Sequence, residues 1–281
     1  MGCHPAATPA EAEQDGAGTV APVTTPTLLD VLCLEEIDRD IYRGLYTVEG
    51  RPRLYGGQVA AQALLAAGLT VAPDRRPHSL HGYFLRSGDA ARPTVFRVER
   101  DRDGRSFSAR RVIALQRGEV LFNMSCSFQT EGHSRDRHDV PLPDIAPPGD
   151  LQKHDMPFPS LDMQVPPQPY DPAPLYPMHF WSRVNVPLPA DPLMHACALT
   201  YMSDMGTGLV LWADEGEAPA ASIDHSVWFH RPLDANDWMR LDFAPRSVSS
   251  GRGLYIGSIS DVSGQLGASI AQEALFRERR G

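Results

Sequence analysis

The sequence predicts an α+β fold built twice over, in which a helix precedes a run of antiparallel strands and the series then repeats. Three observations carry that reading: apolar patterning that switches from helical to alternating, turn signals at hairpin spacing, and landmarks that recur at a near-constant offset. At 281 residues, with 42% hydrophobic and 22% charged side chains, the chain has material for two such units with buried cores.

Residues 1–26 are rich in Ala, Pro, Thr and Glu and poor in large apolar groups, so a disordered tail is expected there. The N-terminal unit is expected over 27–130. In it, "LYGGQVAAQALLAAGLTV" has the Ala/Leu/Gln content of a helix entered through Gly56 and Gly57. Four strand-like runs follow: "HSLHGYFLR", "TVFRVERD", "GRSFSARRVIALQ" and "EVLFNMSCSFQ". The turns "RDRDGR" and "QRGE" between the later runs fit antiparallel hairpins.

Residues 131–177 contain "VPLPDIAPPGD" and "VPPQPYDPAPLYP", where closely spaced prolines oppose helix and central strand, so an extended linker over a surface is expected. The C-terminal unit is expected over 178–281. There "LTYMSDMGTGLVLW" precedes "ASIDHSVWFHRP", "WMRLDFAPRSVS", "GLYIGSISDVS" and "QLGASIAQEALFR".

The two series share a register. Phe84-x-Arg86-x-x-Asp89 recurs as Phe229-x-Arg231-x-x-Asp234, Gly104-Arg105 as Gly251-Arg252, Tyr55 as Tyr201 and Gly118 as Gly264, all at offsets of 145 to 147. Duplication explains four landmarks in one register. A helix covering a curved antiparallel sheet, present twice with the sheets edge to edge, is the hotdog fold in its double form.

Composition narrows the function. A formal charge of -9 opposes a nucleic-acid partner, which needs a basic face. Cys3, Cys33, Cys126 and Cys197 lack metal-ligand spacing, so no metal or other cofactor is expected, and a reduced, cytoplasmic protein is. No apolar run approaches the ~18 residues of a membrane span.

Polar differences between the copies indicate a site. In that register Gln58 faces Asp204, Pro77 faces Ser222 and Cys126 faces Gln272. The second member of each pair forms a coherent set. Asp204 can act as general base toward water, Gln272 can hold that water through a donor and an acceptor, and Ser222 can fix the orientation of either. A backbone N–H at a helix start would polarise an acyl carbonyl. Each residue also has an ordinary structural explanation, such as a helix cap for Asp204. His225 and His230 stand an odd number of positions apart, so strand alternation opposes shared metal ligation and makes structural roles the expectation for both.

The segments "LYGGQVAAQALLAA", "HSLHGYFLRSGD", "DGRSFSARRVIALQRG" and "IDHSVWFHRPL" resemble the signature segments of the acyl-CoA thioesterase II family, over about Leu28 to Arg277. The resemblance implies a double-hotdog enzyme that hydrolyses medium- or long-chain acyl-CoA to fatty acid and CoA, without cofactor, and commonly as a homo-oligomer. It places the family's catalytic Asp, hydroxyl residue and Gln on Asp204 in "YMSDMG", Ser222 in "ASIDHS" and Gln272 in "IAQEAL". The hydroxyl is commonly Thr in the family and Ser here, and the segment between Asp204 and Ser222 is shorter than usual, which bears on acyl-chain preference. Three alternatives stand beside hydrolysis: a hotdog enoyl-CoA hydratase using an Asp/His pair with His225, an acyl-CoA-binding module without turnover, and a biosynthetic-cluster protein that has repurposed the pocket.

Overall fold

The computed structural model describes residues 26–278 apart from 49–50, 52, 133–134, 140–144, 150, 152, 155–157, 169–176 and 214–215. The tail expected over 1–26 therefore lies almost wholly outside the described residues. The first unit runs α1 (Leu28–Leu32), β1 (Leu34–Asp38), β2 (Ile41–Gly44), α2 (Gly56–Gly68), β3 (Arg76–Phe84), β4 (Thr94–Asp103), β5 (Phe107–Gln116) and β6 (Glu119–Gln129). The second runs β7 (Leu161–Gln164), β8 (His179–Val184), α3 (Pro192–Ser203), β9 (Glu217–Ser222), β10 (Asp224–Phe229), β11 (Met239–Ser249), β12 (Arg252–Asp261) and β13 (Leu266–Glu278). A 3₁₀ turn, Gly208–Trp212, lies between α3 and β9.

All the strands join one antiparallel sheet in the order β1-β2-β4-β5-β6-β3-β10-β13-β12-β11-β8-β7, with β9 added on β13. Read outward from the β3/β10 junction, each side repeats the other: β6 matches β13, β5 matches β12, β4 matches β11 and β2 matches β8. The junction pairs Asp224–Trp228 with Tyr83–Ser79, so each unit covers the other's open edge. The turns fit the duplication too. Gly118 and Gly264 both adopt positive φ, 80° and 86°, which a side chain would oppose.

The helices α2 and α3 pack together under the sheet. Ala60, Ala61, Ala63, Leu64, Ala66 and Ala67 of α2 and Cys197, Ala198 and Leu199 of α3 are buried against Phe96, Phe122, Phe128, Leu241 and Phe243 of the strands. Small residues all round α2 fit a helix enclosed on every side, which needs close approach more than amphipathic patterning.

Three features went beyond the sequence reading. It assigned nothing to β1, β2 and β8. The proline-rich stretch 131–177 supplies β7, whose place at the sheet edge suits its neighbouring prolines. The pairings Tyr55/Tyr201 and Gln58/Asp204 do not hold. Tyr55 precedes α2, whereas Tyr201 lies in the last turn of α3 and Asp204 follows its end. The helix equivalent to α2 starts at Pro192, because Asp191 caps it through its side chain and Pro192 fits the first helical position.

Candidate active site

Asp204, Ser222 and Gln272 come from three separate segments, and the fold brings them together. Asp204 is the residue at which α3 stops. Ser222 ends β9, opposite Ala274 of β13. Gln272 points from β13 into the same space, its Nε2 donating to Asp204 Oδ1 at 3.0 Å and to Ser222 Oγ at 2.6 Å. A third contact crosses between the copies: Gly57 N–H, at the start of α2, donates to Asp204 Oδ2 at 2.9 Å.

That approach explains two glycines. A methyl at Gly56 would lie 2.7 Å from Asp204 Oδ2, and one at Gly57 would lie 2.6 Å from the Tyr201 carbonyl oxygen. The N-cap residue Tyr55 does not cap α2 with its own side chain, so the first-turn N–H groups are left to the cavity and to the Asp204 carboxylate. A helix start at this site is expected from the sequence, and in the structure the other copy supplies it.

Hydrogen-bond chemistry fixes how protons are distributed. A carboxylate only accepts, so the Gln272 amide must turn its NH₂ to Asp204 and its Oε1 to His225. His225 must then carry its proton on Nδ1, which donates to that Oε1, while its Nε2 meets Ser203 Oγ at 2.7 Å. His225 and Ser203 are fully buried, and Gln272 is 3% exposed, so this chain is shielded from water. His225 thus orients the amide and is more than an isolated core residue.

Unbroken alternation along a single strand would put Ser222 and His225 on opposite faces. Ile223, between β9 and β10, breaks that period, and both residues reach Gln272. A buried histidine on an otherwise apolar strand face was the one sequence signal for it.

Burial pushes the Asp204 carboxyl above the usual carboxylate range, opposed by His225 and by hydrogen bonds from Gln272 and Gly57. Asp204 retains some accessible surface only because it faces a cavity of about 490 Å³. Apolar and small residues dominate the lining, including Val59, Phe84, Phe122, Ala221 and Ala274, together with Phe158 from the proline-rich stretch. Phe158 packs against Tyr55 at 4.8 Å and Tyr201 at 6.0 Å between ring centroids. No group of three His, Cys, Asp or Glu side chains suited to a metal ion occurs among the described residues.

The equivalent place in the first copy is chemically different. Cys126 stands where Gln272 stands, and burial raises its thiol pKa far beyond neutrality. Arg110 pairs with Cys126 as Tyr255 pairs with Gln272. Its guanidinium, 1% exposed, fills the space by donating to Thr70 Oγ1 at 2.8 Å, Thr70 O at 3.1 Å and Asp103 Oδ1 at 2.7 Å. The facing helix start is also occupied, since the Asp191 side chain accepts from Leu193 N–H at 3.0 Å.

A double hotdog with one carboxylate–amide–hydroxyl cluster beside an uncapped helix start is of the thioester-hydrolase class. Family comparison is specific. Residues 47–129 match the acyl-CoA thioesterase N-terminal domain and residues 138–276 its C-terminal domain. The chain is 33% identical to human acyl-coenzyme A thioesterase 8, covering 94% of this chain and 92% of that one. It is 34% identical to acyl-CoA thioesterase 2 of Haemophilus influenzae, covering 89% and 96% respectively. Among solved structures, acyl-CoA thioesterase II TesB2 from Mycobacterium marinum superposes with a TM-score of 0.73 at 40% identity, over 90% of this chain and 97% of that one. The chain belongs to the TesB-like acyl-CoA thioesterase II family and is an acyl-CoA hydrolase.

Proposed function

We propose that Asp204, Ser222 and Gln272 carry the hydrolysis of medium- and long-chain acyl-CoA by direct attack of water. The observation that carries this reading is the Gln272 amide, which joins Asp204 and Ser222 through one nitrogen. With that nitrogen donating to Ser222 Oγ, the serine O–H is left to donate to a water lying against Asp204. Asp204 takes a proton from the water as its oxygen attacks the thioester carbonyl carbon. A first-turn N–H of α2 receives the developing oxyanion. Collapse of the tetrahedral intermediate breaks the C–S bond, and the Asp204 proton passes to the departing CoA sulfur. No covalent enzyme intermediate forms.

His225 is absent from the cavity lining, with both ring nitrogens committed inside the protein. That arrangement disfavours the hydratase alternative, which needs the imidazole at the substrate. Buried thiols at Cys126 and Cys197 suit a reducing, cytoplasmic setting in fatty acid metabolism. Exposed Tyr83 and Trp228 on the outer face of the β3/β10 junction suit a homo-oligomeric contact, which light scattering on the purified protein tests directly.

The catalytic reading is tested by release of thiol across a panel of acyl-CoA chain lengths, for wild type and Asp204→Asn. Medium and long chains should turn over in wild type and fail in the variant. Full turnover in Asp204→Asn would refute the assignment.

A further inference from the structure

The mechanism uses one end of the cavity and leaves a charged rim unexplained. Among the described residues, three charged side chains line the cavity: Asp204 inside, and Arg53 and Arg86, which are both exposed to solvent. The segments bearing the two arginines are tied together by Leu54 N–H donating to Gly88 O at 2.9 Å. Arg53 lies three residues before Gly56, which abuts the Asp204 carboxylate, so at most ~11 Å of chain separates the two positions.

Their surroundings differ in a telling way. Arg86 shares its charge with Glu119 at 3.1 Å, in an exposed pair, and donates to Val120 O at 3.0 Å. Arg53 makes no ion pair among the described residues. In the second copy Arg231, the counterpart of Arg86, is held by Asp136 and by Leu266 O, so its guanidinium is already occupied. Each copy thus holds this arginine with one carboxylate and one backbone carbonyl, and Arg53 is the rim arginine that has no acidic partner among the described residues, beside the cavity that contains Asp204.

The chain as a whole carries a formal charge of -9, which repels a polyanion. Arg53, uncompensated at the rim, locally opposes that field, and the planar donor forks of Arg53 and Arg86 match phosphate oxygens. We propose that Arg53, assisted by Arg86, anchors the phosphate groups of the CoA nucleotide while the pantetheine arm enters the cavity. The acyl chain then lies beyond Asp204, toward the small and apolar lining at Ala220, Ala221, Ala274 and Leu275. This inference rests on the Asp204 cavity being the active site, and it adds a means of selecting CoA esters over thioesters that lack phosphate.

The experiment compares an acyl-CoA with the same acyl group on pantetheine, and measures CoA binding by calorimetry, for wild type, Arg53→Ala, Arg53→Lys and the Arg53→Ala/Arg86→Ala pair. Arg53→Ala should weaken CoA binding about tenfold and raise KM for acyl-CoA by a similar factor, as expected for loss of a charge-assisted contact. The loss on acyl-pantetheine should be a small fraction of that. Arg53→Lys should fall between wild type and Arg53→Ala, and added salt should raise KM for acyl-CoA in wild type far more than in the double variant. Equal losses on the two thioesters, or unchanged CoA affinity in the double variant, would overturn the anchor. Arginine-dependent CoA binding in an enzyme whose turnover survives Asp204→Asn would uphold the anchor and refute the catalytic assignment.

Discussion

Gln272→Glu is the most revealing single change, because it preserves side-chain shape and exchanges one group, the NH₂ that donates to both Asp204 and Ser222, for an acidic oxygen. In wild type, Gln272 Nε2 lies 3.0 Å from Asp204 Oδ1 and 2.6 Å from Ser222 Oγ. A glutamate oxygen in that place sets two carboxylates in contact. At 3.0 Å and an effective dielectric of ~20, two unit charges repel by about 5.5 kcal/mol. That is enough for the pair to share one proton at neutral pH. The shared proton sits on the group that must accept one from water, so general-base catalysis, typically worth ~10²–10⁴ in rate, is suppressed. His225 keeps an acceptor for its Nδ1–H, so the fold should survive. The assay is kcat/KM for a medium-chain acyl-CoA from acid to alkaline pH, followed by loss of thioester absorbance, with circular dichroism as the folding control. Activity should be low at neutral pH and recover as pH rises and the pair releases its proton. A pH profile superimposable on wild type, with only a few-fold loss, would refute contact between Gln272 and the base.

Asp204→Asn should lower kcat by ~10²–10⁴ and also change the pH dependence of stability. Burial raises the folded-state pKa of Asp204 above its unfolded value, so its contribution to stability is fully present below the unfolded pKa and is lost as pH rises through the folded one. The melting temperature of Asp204→Asn minus that of wild type should therefore be greater at neutral pH than at acid pH, by differential scanning calorimetry. The same pKa places the acid limb of wild-type kcat/KM above the ordinary carboxylate range. His225→Phe removes the donor that orients Gln272 and should cost about tenfold or more in kcat, the equivalent of ~1.4 kcal/mol, with little change in KM. Phe158→Ala opens the wall at Tyr55 and Tyr201, so the chain-length optimum of kcat/KM should move to longer acyl groups.

Much of this was legible in the sequence, for identifiable reasons. Alternating strands and positive-φ turn glycines are local signals, and they gave the tandem α+β plan and the matches Phe84/Phe229, Gly118/Gly264 and Cys126/Gln272. The pairing of Tyr55 with Tyr201 failed because two tyrosines near helix ends look alike in a linear comparison. Which end each occupies depends on Gly56 opening α2 and Ser203 closing α3. The site was legible as residue types and opaque as geometry. Nothing local to "ASIDHS" shows that the strand breaks at Ile223 and so brings Ser222 and His225 to one amide. Nor does any local pattern show that the carboxylate of one copy is held by a backbone N–H of the other. Both facts arise from sheet order, which places β3 beside β10.

Sharing one carboxylate between two copies makes the fusion of the halves a one-way step. A lone C-terminal half would retain Asp204, Ser222 and Gln272 but expose the β10 edge that β3 covers. If two such halves paired through that edge, each Asp204 would meet the start of a neighbouring α3 in place of α2. That helix opens with proline and is already capped by Asp191, so it has no counterpart of the Gly57 N–H to offer. A symmetric pair of C-terminal halves therefore lacks the backbone donor that Asp204 has here. A change at the start of α2 in one copy reaches the carboxylate of the other directly.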